Sequence, residues 1–334
     1  MVRISSLKVK VREIKELVKG GFFHPGSRRG IVWMLTIISL FLLNGITLSM
    51  EGKIRPRFSI KVTHGTNYSF WGDINRYLES VNNNYIFEFW RKNAPERVVG
   101  EIKTLNNWTD GWEAELRIDL SPKIAIGIAT SGAIRRKNES SLIYTYIGAP
   151  GPQVTGFTYE PEVIAQMPVR LGIYYILPYG SKTSFYFNAA VGYYSGKIAD
   201  YLKYEVTTPS GGYDWISRYN ETERKSSLGL HCGFGVEYNL MRNLVLVVEA
   251  QGRYVKIKGF KARAYYEYCH SMPGEETGTL YYFTKYNMGI DARYADLIVW
   301  EKPPYGTVYD AADIRKAVLD LSGFSLRVGV RIKL

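Results

Sequence analysis

G-F-S-L-R-V-G-V-R-I-K-L, Gly323 to Leu334, closes the chain. Every second residue is apolar: Phe324, Leu326, Val328, Val330, Ile332 and Leu334. Between them stand Ser325, Arg327, Gly329, Arg331 and Lys333. Strict period-two alternation is the pattern of a strand with one apolar and one polar face. A soluble sheet rarely ends abruptly on so apolar a strand, whereas a membrane barrel closing on its last strand commonly does. The expectation from this stretch is a barrel strand.

Seven further segments alternate in the same way: Arg57–Thr63, Glu113–Leu120, Lys123–Ser131, Val169–Leu177, Phe185–Tyr194, Leu228–Leu240 and Leu244–Tyr254. Their connections alternate too. Ser121-Pro122 joins the second to the third, Pro178–Ser184 the fourth to the fifth, and Met241–Asn243 the sixth to the seventh, all of hairpin length. The other four run to several tens of residues. In an up-and-down meander, all short turns then fall at one end and all long loops at the other. This predicts an all-β fold, a single up-and-down antiparallel transmembrane barrel of eight strands with short periplasmic turns and long external loops. Within the long loops, 73–81 and 310–321 read as short helices, with Asp73 and Asp310 placed as N-caps.

The net charge of +12 divides unevenly. Residues 1–49 hold eight Lys/Arg against Glu13 and Glu16, or +6, which leaves +6 for the remainder. With half the excess in a leader, nucleic-acid binding loses its main support. Arg28 and Arg29 precede the apolar run Ile31–Asn44, which at 14 residues is short of the ~20 that a transmembrane helix needs. Small and polar residues follow it. This is the layout of a signal peptide with cleavage after Ser49, so residues 1–49 are expected to be a leader with a long basic n-region and 50–334 the barrel domain. Tyr occurs 27 times against 4 His and 2 Cys, which suits a β-rich protein with aromatic belts. Cys232 falls on a strand and Cys269 in a loop, so they are not expected to pair.

Alternation alone does not say which face points inward; a soluble lipocalin-like barrel alternates as well. The polar face decides. It carries Arg57, Lys61, Arg117, Arg170, Arg253, Arg327 and Arg331 with Glu113, Glu115, Asp119, Glu237 and Glu249. Around them stand Gly127, Gly172, Gly192, Gly229, Gly233, Gly235 and Gly329. Glycines weaken a solvated strand and gain it nothing. Inside a narrow barrel they make room for long charged side chains from neighbouring strands, and those charges must pair. The expectation is a lumen filled by a charge network, with the apolar face toward lipid.

With these features the chain resembles the small eight-stranded bacterial outer-membrane barrels, the OmpA/OmpX/OmpW-like group, over about residues 55–334. R-V-G-V-R-I-K-L also looks like the outer-membrane assembly signal, through Arg327, Gly329, Ile332 and Leu334, with Leu334 where an aromatic residue is common. The resemblance implies outer-membrane lipid and lipopolysaccharide as surroundings and the barrel-assembly machinery as partner during insertion. Some barrels of this size modify lipids with a Ser/His pair near the membrane surface. Here Thr63-His64 and His270-Ser271 are adjacent in sequence and therefore point to opposite faces of a strand, and His231 reads as a lumen residue. Cys269, His270, Glu275 and Glu276 lack zinc spacing. No enzyme activity, metal or cofactor is expected. The tyrosine-rich segments Ala262–Tyr268 and Leu280–Tyr286 are expected to extend strands above the membrane. The role expected is structural, or binding through the external loops. A lipid-modifying barrel, a narrow channel and a periplasmic β-domain are the alternatives.

Overall fold

The closing alternation is a strand, β8, Gly323–Lys333. A computed structural model describes residues 57–82, 91–148, 151–269, 271–287, 292–303 and 311–334. Residues 1–56, which include the stretch expected to be a leader, and Asp310 and His270 lie outside the described residues. Seven strands that pair in sequence precede β8: β1 Arg57–Ser69, β2 Trp108–Asp119, β3 Ile124–Ser131, β4 Gly151–Tyr179, β5 Thr183–Thr207, β6 Lys225–Asn239 and β7 Leu244–Tyr254. Each pairs antiparallel with its chain neighbours among the eight, and β8 pairs back onto β1. The pairing path therefore returns to its starting strand. Register follows from the pattern: Val62 lies opposite Val330 and Lys61 opposite Arg331, so like faces align. The N–H of Leu334 donates to the carbonyl of Phe58 at 2.9 Å, which fastens the last residue beside the start of β1. Tight turns join β2 to β3, β4 to β5 and β6 to β7, all at this same end.

Burial in this ring is the reverse of a water-soluble protein. Ser59, Lys61, Thr63, Glu113, Glu115, Arg117, Glu237 and Glu249 are buried, while the apolar residues that alternate with them, such as Ile60, Val62, Leu116 and Val248, are exposed or half-exposed. Ile173 is 62% exposed, Leu230 61% and Val328 53%. Rings gather at both margins of this outward face. Tyr68, Phe70, Trp108 and Phe324 cluster at one, and Tyr179 and Phe185 pack at the turn end. Among the described residues no helix is long and apolar enough to cross a membrane.

The long connections differ from the loops expected. They fold into a crown of strands that continues the ring upward. β4 runs far beyond its alternating part, and its Val154–Gln166 stretch pairs with Ser195–Thr207 of β5. Tyr213–Thr222, Lys261–Tyr268, Ser271–Asn287 and Ala292–Trp300 extend that sheet on one side, and Ser140–Gly148 and Val98–Gly100 on the other. The tyrosine-rich segments lie in strands Lys261–Tyr268 and Ser271–Asn287. Residues 311–321 correct the helix expected there: they form strands Ala312–Lys316 and Val318–Asp320. The cause is tertiary, since Tyr281 and Tyr282 pair with Lys316 and Arg315, and Ala317, Leu319 and Leu321 are buried at a period of two.

A helix, α1, Asp73–Asn82, lies in the first connection. It buries Ile74, Tyr77, Leu78 and Val81, the i, i+3, i+4, i+7 stripe of an amphipathic helix. They join Trp71, Ile198, Ile257, Phe260, Leu280, Leu297 and Leu319 in an apolar core. Asp73 is not the cap expected. The first intrahelical bond runs from Arg76 N–H to Gly72 C=O, and the Asp73 carboxylate accepts instead from Val318 N–H at 2.9 Å and from Arg315. Asp73 thus ties the helix to the connection leading into β8. Ser80 ties its other end, with Oγ accepting from Ala295 N–H at 2.6 Å. Ala292–Trp300 is an edge strand, so Ser80 occupies a backbone group that would otherwise be open to another chain.

Candidate functional site: the charged interior of the strand ring

Parity along the eight strands brings ten charged side chains into the ring. Lys61 on β1 bridges Glu249 on β7 at 2.8 Å and Glu115 on β2 at 3.3 Å. Arg170 on β4 reaches Glu113 at 2.7 Å and Glu115 at 3.0 Å. Arg327 on β8 pairs with the second oxygen of Glu113 and donates to Asn67 Oδ1 at 3.1 Å. Toward the turn end, Arg117 binds Glu237 at 2.8 Å and Asp119 at 3.0 Å, and Arg331 also binds Glu237. Five cations, Lys61, Arg117, Arg170, Arg327 and Arg331, face five carboxylates, Glu113, Glu115, Asp119, Glu237 and Glu249. The interior is charge-balanced. Charges taken from water are tolerated only when paired and hydrogen-bonded in this manner.

Two sites stand apart from this balance. Arg57 lies on the inward parity but at the end of β1, where its side chain is exposed, and no ion pair to it occurs among the described residues. Arg253 meets no carboxylate among the described residues; it donates to the carbonyls of Leu321 at 2.6 Å and Tyr68 at 3.2 Å and to Ser69 Oγ. Its place is the upper mouth of the ring, where it ties β7 to the ends of β1 and β8. Both correct the expectation of a seven-to-five network, and the reason is position along the strand.

Several neutral groups complete the network. Tyr186 O–H donates to Glu249 at 2.6 Å, Tyr174 O–H donates to Glu115, and Gln251 donates to Glu249 at 3.0 Å. The Tyr174 and Tyr186 rings lie 5.5 Å apart, and Lys61 and Arg117 both approach the two rings within 6.0 Å. Parity was signal enough to place Tyr186 inward, since it sits between outward Phe185 and Phe187. Glycines provide the room: a Cβ at Gly235 would stand 2.2 Å from Tyr186 Cζ, and one at Gly127 2.8 Å from Tyr174 Cε2.

The residues read as an assembly signal divide by face. Arg327 points inward to Glu113, Ile332 and Leu334 are exposed on the outward face, and a Cβ at Gly329 would strike the Val62 carbonyl oxygen at 2.0 Å. His64 is exposed and its neighbour Thr63 buried. His231 is buried, with its Nε2 2.6 Å from the Tyr194 hydroxyl.

The crown holds a second buried polar cluster. Asp296 accepts from Lys285 Nζ at 2.6 Å, from Leu297 N–H at 2.8 Å and from Arg218 at 3.4 Å. Asp200 accepts from Asn220 at 3.1 Å. Burial alone would raise both carboxyls. It does so for Asp200, whereas Arg218 and Lys285 hold Asp296 below the usual carboxylate range.

No protein-family model matches the chain, and no curated relative matches it. Among solved structures it is similar to small outer-membrane β-barrel proteins of the OmpA/OmpX/Ail family. The outer-membrane protein OprG of Pseudomonas aeruginosa is 9% identical with a TM-score of 0.35, over 85% of this chain and 98% of that one. Neisserial surface protein A is 10% identical with a TM-score of 0.28, over 83% and 97%. Ail, the attachment invasion locus protein of Yersinia pestis, is 11% identical with a TM-score of 0.25, over 82% and 99%.

Proposed function

We propose that this protein is an eight-stranded transmembrane barrel of a bacterial outer membrane. Its short turns face the periplasm and its crown faces outward. It serves as an envelope scaffold or binding platform, without catalysis and without an open pore. One observation carries this reading. The ring exposes a band of apolar side chains and buries five ion-paired cations with five carboxylates. In water both halves of that arrangement are unfavourable; in a bilayer the band packs against lipid chains and the wall keeps the paired charges away from them. An eight-stranded ring is about wide enough for its own side chains. The crown, with its own apolar core, is the part available to an external partner.

Membrane fractionation tests location: the mature protein is expected with the outer membrane, and recovery in the soluble periplasm refutes the reading. Planar-bilayer recording tests the lumen, with steady conductance arguing for the channel alternative. Turnover of lipopolysaccharide that is lost on His231→Ala would favour a lipid-modifying enzyme.

A further inference from the structure

Along β6 the outward residues from Leu228 to Tyr238 are mostly apolar, as are those along β7 from Leu244 to Tyr254, ten residue steps in each. At ~3.4 Å per step and a tilt of ~40°, that is about 26 Å of height, the thickness of the apolar band of an outer-membrane barrel. Above that height the exposed positions turn polar and then basic. Ser226 on β6 is followed by Arg224, which stands exposed just before the strand begins. Beyond β7 come Lys256 and Lys258, in the short strand Lys256–Lys258. Their direction is fixed by the alternate residues Val255 and Ile257, which are buried in the apolar core. Leu230 pairs with Tyr254, so the cations of the two strands stand at neighbouring heights. Lys256 Nζ lies 5.3 Å over the Tyr254 ring.

Most of this charge is unspent. Lys256 has only the distant Asp320 at 3.8 Å, Arg224 donates to Ser195 Oγ at 3.2 Å, and Lys258 meets no carboxylate among the described residues. The nearby acids are Glu223, which is exposed, and Glu221, which is taken by Lys197. Elsewhere in the crown the arrangement is opposite, since Arg135 pairs with Glu162 and Lys137 with Glu160. Unneutralised cations thus sit on the wall at the top of the apolar band.

We propose that Arg224, Lys256 and Lys258 form a site for the phosphate groups of a multiply acylated outer-leaflet lipid, the chemistry of lipopolysaccharide, whose chains lie along Leu228, Leu230 and Tyr254. The inference rests on the transmembrane reading. Arg supplies a fork for phosphate oxygens and the lysines supply point charges. A basic side chain at an anionic membrane surface contributes a factor of about five, so the three together amount to roughly a hundredfold in affinity.

The test uses the full protein in nanodiscs of zwitterionic lipid, titrated with bisphosphorylated lipid A and read by native mass spectrometry. The triple variant Arg224→Gln/Lys256→Gln/Lys258→Gln is expected to bind on the order of a hundredfold more weakly, and Arg135→Gln/Lys137→Gln to bind as wild type. Wild type is also expected to lose affinity for the dephosphorylated lipid and to resist competition by millimolar inorganic phosphate. Equal binding by the triple variant overturns the site, as does displacement by inorganic phosphate alone. Gel migration that changes on heating, run on each sample, separates this outcome from failure of the barrel reading itself.

Discussion

Replacing Lys61 with methionine probes the interior most sharply. The ammonium is 1% exposed and stands 2.8 Å from Glu249 and 3.3 Å from Glu115. At an effective dielectric of about 20, each contact is worth roughly 5–6 kcal/mol before desolvation is counted. Much of that is offset by the cost of drying the ammonium. What remains after substitution is two carboxylates facing each other inside the ring with Arg170 and Tyr hydroxyls for relief. Breaking a buried pair from one side costs about 3–5 kcal/mol. Removing one opposite charge with it, in Lys61→Met/Glu249→Gln, should recover most of the loss, because the interior stays balanced and uncharged isosteres of a buried pair are often close to neutral. The assay is urea unfolding from lipid vesicles, followed by gel migration and tryptophan fluorescence. If Lys61→Met alone costs under about 1 kcal/mol, the interior has the dielectric of a wet channel and the network reasoning fails.

Gly235→Ala should cost about 1–3 kcal/mol by forcing Tyr186 off Glu249, since its Cβ would lie 2.2 Å from the ring; Gly252→Ala, whose nearest contact is Cys232 Sγ at 3.6 Å, is the matched control in the same unfolding assay. Val248→Arg, on the outward face near the middle of the band, should cost about 2–4 kcal/mol in vesicles, and a cost near zero would place that face in water. Asp296 is held below its ordinary 3.8, so its contribution to the crown is present above that value and is lost as pH falls through the folded one. Hydrogen exchange in Ala292–Trp300 should therefore quicken on acidification in wild type, and Asp296→Asn should abolish that acid limb by starting from the weakened state.

The ring was legible because two physical signals coincide there. Each strand must alternate to face lipid and interior, and each interior charge needs a partner, so Lys61, Glu115 and Arg327 announce themselves by parity. Strand position along the axis carries no such mark, which is why Arg57 and Arg253 read like Lys61 but sit at the two ends. Apart from the tyrosine-rich segments Ala262–Tyr268 and Leu280–Tyr286, the crown reads as loops because its strands lack an alternating lipid face. Gly151–Gln166, for example, contains Pro152 and Pro161, which break the pattern of a strand while Pro161 still lies opposite Asp200 in the sheet. The stretch before β8 shows the same limit. Ala312–Lys316 has helix-forming residues, yet Tyr281 and Tyr282 offer it a sheet partner and Arg315 lies 3.9 Å over the Tyr282 ring. Local propensity lost to a pairing some thirty residues away.

The most direct measurement of the central account is gel migration of the purified protein in detergent with and without boiling. A ring held by eight antiparallel pairings and an inward ion-pair network should resist dodecyl sulfate unheated, run ahead of its boiled form, and require detergent to stay in solution. A single band unchanged by boiling, from protein soluble without detergent, would contradict it.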